Sequence, residues 1–102
     1  MPRRRTILAD EVRRALDRLE AEGRLTQPVL PPPAMARLRG LTEMMEGMLE
    51  ELSTGKTLWR FEPTARALED LIRRIEQAED YEAARSALSD LLGVLTDENR
   101  WR

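Results

Sequence analysis

The stretch that decides the fold is residues 34–52, AMARLRGLTEMMEGMLEEL, which follows three prolines at residues 31–33. Its apolar side chains recur at alternating steps of three and four residues, at Leu38, Leu41, Met45, Met48 and Leu52. This spacing places them along one side of an α-helix. We therefore predict a helix from about Ala34 to Leu52 whose apolar side has to be covered. Two glycines inside it, Gly40 and Gly47, indicate either a close helix approach or simple tolerance.

The same spacing returns in two later segments. The second set of apolar positions is Ala65, Leu68, Ile72 and Ile75, and the third is Tyr81, Ala84, Leu88, Leu91 and Leu95. We predict a helix from Pro63 or Thr64 to about Glu79, and another from Tyr81 to about Thr96 with Asp80 as its N-cap. No such helix can cover its apolar side alone, so the helices must pack on one another or on a partner. The predicted fold is all-α, a small bundle of three to four helices.

A further amphipathic helix is predicted at the start of the chain. It runs from Ile7 to about Glu22, with Thr6 as its N-cap and Gly23 as its end. Residues 24–33 are rich in proline and indicate an extended polyproline II spacer. We therefore divide the chain into a basic N-terminal helix with its linker, residues 1–33, and a helical core, residues 34–102. Helix one either joins the bundle as a fourth member or swings out on the spacer. On this division, deleting residues 1–30 is expected to leave a folded core.

Composition argues against several kinds of function. The chain has no cysteine and no histidine, which removes the commonest general base and the commonest metal ligands. We therefore expect a non-enzymatic protein without a cofactor, a metal or a small-molecule substrate. No apolar run approaches the roughly 20 residues of a membrane span, and no signal peptide is evident, so a cytoplasmic protein is the default expectation.

Two short segments resemble known motifs. Residues 53–57, STGKT, resemble the end of a P-loop, but Glu50 stands where that motif needs a glycine, so a helix C-terminal turn is favoured. The segment from Thr42 to Gly47 is similar to the inhibitory helix of small antitoxins that silence Fic-domain AMP transferases. That resemblance implies that Glu46 would pair with an arginine in the partner's nucleotide site, with Thr42 in support.

Basic residues are concentrated in the first part of the chain. Residues 1–42 hold nine arginines against five acids, and residues 43–102 hold eight basic residues against fourteen acids. Residues 12–25 resemble the recognition helix and first wing residue of winged helix-turn-helix regulators, which implies contacts with DNA in the major groove. The residues that would make them are Arg3, Arg4, Arg5, Arg13, Arg14, Arg18 and Arg24. A nucleic-acid-associated regulator is therefore the alternative function.

The function favoured by the sequence is protein binding, as an adaptor, inhibitor or assembly subunit. Its partner is another protein, further copies of the same chain, or both. The apolar helical surface is large for so short a chain, so we predict a dimer or higher oligomer. The predicted partner-binding residues are the apolar side of helix one and two aromatic anchors, namely Leu8, Val12, Leu16, Leu19, Trp59 and Phe61.

Overall fold

The computed structural model of the chain describes residues 4–51 and 62–101, without the side chains of residues 48–51. These ranges contain four α-helices, α1 (Arg4–Glu22), α2 (Pro32–Glu51), α3 (Glu62–Gln77) and α4 (Tyr81–Thr96), followed by a 3₁₀ turn (Glu98–Trp101). No β-strand occurs in the described ranges, and the predicted all-α bundle is confirmed.

The four helices form a closed ring in which each packs on the next and α4 packs back on α1. Ion pairs show which ends of two neighbouring helix pairs lie together. Arg39, in the first half of α2, reaches Glu76 near the end of α3. Arg5, at the start of α1, reaches Glu98 just beyond the end of α4. The start of α1 therefore lies beside the end of α4, and the first half of α2 lies beside the end of α3.

All four helices contribute to one buried core. Leu8 and Val12 of α1 have no exposed surface, and Leu38, Leu68 and Leu88 are equally enclosed. The sequence left open whether helix one joins the bundle or swings out on the spacer. In the structure it is the fourth helix of the bundle. The boundary expected at residue 33 does not separate two cores. A folded fragment is therefore no longer expected after deletion of residues 1–30.

The proline-rich segment is not an extended spacer. Gly23 ends α1 as predicted, with a φ of 69° and an N–H that donates to the Leu19 carbonyl oxygen at 3.0 Å. Val29 and Leu30 are 8% and 2% exposed, so the linker is fastened to the core. Pro32 is already the first residue of α2, where a missing N–H does no harm. Burial of two apolar side chains outweighed the stiffness expected of the prolines.

Of the two N-caps predicted from the sequence, one is confirmed and one is wrong. Asp80 caps α4 as predicted, because its carboxylate accepts the Ala83 N–H at 2.7 Å. The prediction of Thr6 as the N-cap of α1 is wrong, since that helix already begins at Arg4.

The C-terminal residues are docked rather than frayed. The indole Nε1 of Trp101 donates to the Val94 carbonyl oxygen at 2.8 Å. The Arg5 guanidinium lies 5.2 Å from the centre of the indole ring and donates to the Leu95 carbonyl oxygen at 3.0 Å. This contact joins the start of α1 to the end of α4. The sequence did not predict it because Arg5 and Trp101 are 96 positions apart in the chain.

Candidate functional site

A groove with a volume of about 470 Å³ lies between the loop before α2, the first turns of α2 and the end of α3. Its wall is largely apolar and includes Pro28, Val29, Leu30, Met35, Ala36 and Ile75. At the rim, Nη2 of Arg39 lies 2.6 Å from Oε2 of Glu76. We call this the proline groove. It combines apolar walls with one charged pair, the composition typical of sites that accept apolar side chains in a fixed orientation.

Local sequence explains why the proline groove forms. Val29 and Leu30 anchor the loop on the core, which leaves the adjoining Pro28 exposed at its edge. Met35 follows one turn into α2 and is half-buried, so part of its side chain stays accessible. Methionine adapts its shape readily to a ligand. Sequence reasoning missed this site because three separate segments build it, although the apolar pair beside the prolines was a usable signal.

A second groove, of about 250 Å³, lies between α2 and α3 and is more polar. It contains Thr42 and Glu46, the two residues singled out by the resemblance to the Fic antitoxins. Thr42 is buried and its hydroxyl donates to the Leu38 carbonyl oxygen at 2.8 Å. Glu46 is half-buried, and Arg39 and Arg73 line the same groove. The inhibitory role implied for Glu46 stays a prediction.

The apolar side of helix one is taken up by the chain's own core. Leu8, Val12 and Leu19 are at most 2% exposed, so a partner cannot reach them while α1 stays in the bundle. Leu16 is half-buried and lines a groove between α1 and α4. The other two predicted anchors, Trp59 and Phe61, lie outside the described residues, as do Lys56 and the P-loop-like segment 53–57.

The arginines of the nucleic-acid alternative are dispersed. Arg5 is held against Trp101, and Arg13 lies 3.7 Å from Asp10. Arg13 is itself exposed, as are Arg4, Arg14, Arg18 and Arg24, and Arg3 lies outside the described residues. The helix α1 carries five arginines and also five acids, so it has no net charge. The structure therefore brings no uniformly basic face together on α1.

Little apolar surface is left over among the described side chains. Met44, on α2, is the one large apolar side chain in the exposed class there, with 45% of its surface accessible. The surplus of apolar helical surface expected from the sequence is therefore not found in the described part of the chain. That surplus no longer supports the predicted oligomer.

The described residues show no group of three or more acidic side chains placed to hold a metal ion. None of the described helices combines the length and apolar character needed to cross a membrane. No protein-family model, curated protein or solved structure matches the chain.

Proposed function

We propose that this chain is a non-enzymatic protein-binding module and that the proline groove is its binding site. The observation that carries the proposal is an accessible apolar wall, centred on Met35, beside the Arg39–Glu76 ion pair. A chain without histidine or cysteine has few means of general-base or nucleophilic catalysis, which favours binding over chemistry.

The groove suits a protruding apolar side chain of a protein partner. Burial of an apolar side chain between Met35, Ile75 and the proline loop supplies affinity, because water is displaced from both surfaces. The ion pair at the rim then offers a donor and an acceptor for the partner's backbone or polar side chains. Interfaces of this kind depend on a few central anchors surrounded by a polar rim.

The test compares two identical substitutions on the same helix. Met35→Gln places an amide in the wall of the groove, whereas Met44→Gln changes an exposed methionine outside it. The tagged wild-type chain is used to recover partners from the native host, which are identified by mass spectrometry and purified. We expect Met35→Gln to weaken binding of the purified partner at least about tenfold and Met44→Gln to leave it within about twofold. Equal affinities for a partner with both variants, each with native helical circular dichroism, would contradict the proposal.

The nucleic-acid alternative stays a prediction with its own measurement. Binding of duplex DNA through phosphate contacts weakens steeply as salt rises, whereas docking of apolar side chains does not. If Arg14→Glu and Arg18→Glu abolish a salt-sensitive DNA complex while Met35→Gln does not, the alternative is preferred to the groove.

A further inference from the structure

The outward side of α2 has a symmetric pattern that the bundle does not use. Ala36, Gly40, Glu43 and Gly47 follow one another at steps of four, three and four residues, so they lie along one face of the helix. Ala36 and Glu43 are exposed. A Cβ built on Gly40 or on Gly47 would meet no atom within 4 Å. The glycines therefore do not serve a close helix approach within the described part of this chain, and none of the described residues covers the face at these two positions.

Charge is divided along this helix. Arg37 and Arg39 lie in its first half, and Glu43 and Glu46 lie in its second half. Within the chain Arg37 lies 3.3 Å from Glu11 and Arg39 lies 2.6 Å from Glu76, but the two arginine side chains are 43% and 48% exposed, so each can also reach an acid of a second copy. Arg39, Glu43 and Glu46 all line the groove toward α3, so they are on the same flank of α2. A helix with one sign of charge in each half is complementary to a copy of itself that runs in the opposite direction.

We propose that this face of α2 binds the same face of a second copy of the chain, antiparallel and about a two-fold axis. In the matching register Ala36 lies opposite Gly47 of the second copy, and Gly40 lies opposite Glu43. That register brings Arg39 within reach of Glu43 and Glu46 of the second copy, and symmetry makes the contact twice.

The small residues of this face and the position of Met44 also favour a second copy of α2 as the partner. Small residues let two helices approach closely without distortion of either backbone. Met44 lies on the opposite flank from Arg39 by helical geometry, where it gains cover from the Arg37 stem of the second copy. An interface of the same patch on both copies closes on itself, so it yields dimers rather than filaments. One helix pair buries less than a standard interface, and we expect a dissociation constant on the order of 100 µM.

The test is charge reversal with rescue between two variants. In Glu43→Arg, the new arginine faces Arg39 of an identical copy, and in Arg39→Glu the new glutamate faces Glu43. Each variant alone is therefore expected to be monomeric. An equimolar mixture restores both attractive contacts, so it is expected to form a heterodimer. Sedimentation equilibrium up to about 1 mM chain measures all three samples. Glu79→Arg, at an exposed position between α3 and α4, is the control and should dimerise like the wild type.

A steric pair of variants checks the same face without a change of charge. Gly40→Leu and Gly93→Leu both place a side chain where a Cβ meets nothing within 4 Å, on α2 and α4 respectively. We expect Gly40→Leu to weaken dimerisation at least about tenfold and Gly93→Leu to leave it unchanged.

A wild-type chain that stays monomeric throughout, or a mixture of the two charge variants that fails to associate, overturns the proposal. Ala36 and Arg39 also line the proline groove, so binding at the groove is tested with Met35→Gln and not with the charge variants. Met35→Gln is expected to dimerise normally, so failure of groove binding and failure of self-association are separate results.

Discussion

The replacement Leu8→Ala tests whether α1 belongs to the bundle in solution. Leu8 has no exposed surface, and it lies on the helix that the sequence also allowed to be detached. In the closed ring, its side chain is enclosed by the chain's own core. On a detached helix, the same side chain would lie in water, and its truncation would leave the stability of the remaining helices unchanged.

The expected magnitude follows from the burial. Leucine has three more carbon atoms than alanine, and each buried methylene contributes about 0.8 kcal/mol, which gives about 2.4 kcal/mol before any cavity forms. The unfilled space adds to this, and measured Leu→Ala replacements in cores range over about 2–5 kcal/mol. We expect a loss of about 3 kcal/mol, which lowers the Tm of a domain of this size by about 12–24 °C.

The assay is urea unfolding followed by circular dichroism, with Leu68→Ala as the matched control. Leu68 on α3 is equally enclosed, so both variants are expected to lose similar free energy of unfolding in one cooperative transition. A Leu8→Ala protein within about 0.5 kcal/mol of the wild type, while Leu68→Ala is strongly destabilised, would refute the placement of α1.

Three further replacements test the ends and surface of the bundle. Arg5→Ala removes the contacts with Trp101 and with the Leu95 carbonyl oxygen, so thermal unfolding should show a loss of about 1–3 kcal/mol, whereas Arg4→Ala should change less than about 0.5 kcal/mol. Equal effects of the two would mean that the C-terminal contact contributes nothing. Asp80→Ala leaves the Ala83 N–H without its cap and should cost about 1 kcal/mol, while Asp80→Asn should retain most of the stability. Gly93→Ala should raise the free energy of unfolding by about 0.5–1 kcal/mol, because the site is exposed and helical; a decrease would show that the added methyl group meets an obstacle.

The ends of the helices could be predicted where the capping residue and the apolar spacing lie in the same short segment. α4 begins and ends at the predicted residues because Asp80 supplies a local cap and the apolar spacing stops at Leu95. Gly23 likewise marks the end of α1 through a backbone conformation that favours glycine. These signals act within a few residues, so they can be recognised without knowledge of the fold.

Contacts between distant segments were not predictable in this way. The sequence places Asp70 four residues before Arg74 on α3, a spacing that favours an ion pair within the helix. Arg74 instead lies 2.8 Å from Asp90 on α4, and Asp70 lies 3.9 Å from Arg73. Which acid an arginine meets depends on the packing of its helix, and several acids were available at similar spacing. The contact of Trp101 with Val94 was not predicted for the same reason, because it also depends on how the chain packs.

The closed ring also changes which residues are available for binding. A helix of a bundle has one side in the core, so apolar spacing identifies residues that are lost to a partner once the ring closes. Candidate contacts must then come from positions that the apolar stripe leaves out. On α2 these positions include Met35, at the edge of the apolar stripe, and Gly40, on the opposite side of the helix. Apolar periodicity alone assigns neither residue to the core or to an interface. For this chain, both proposed binding surfaces therefore include residues that interrupt the apolar pattern of α2.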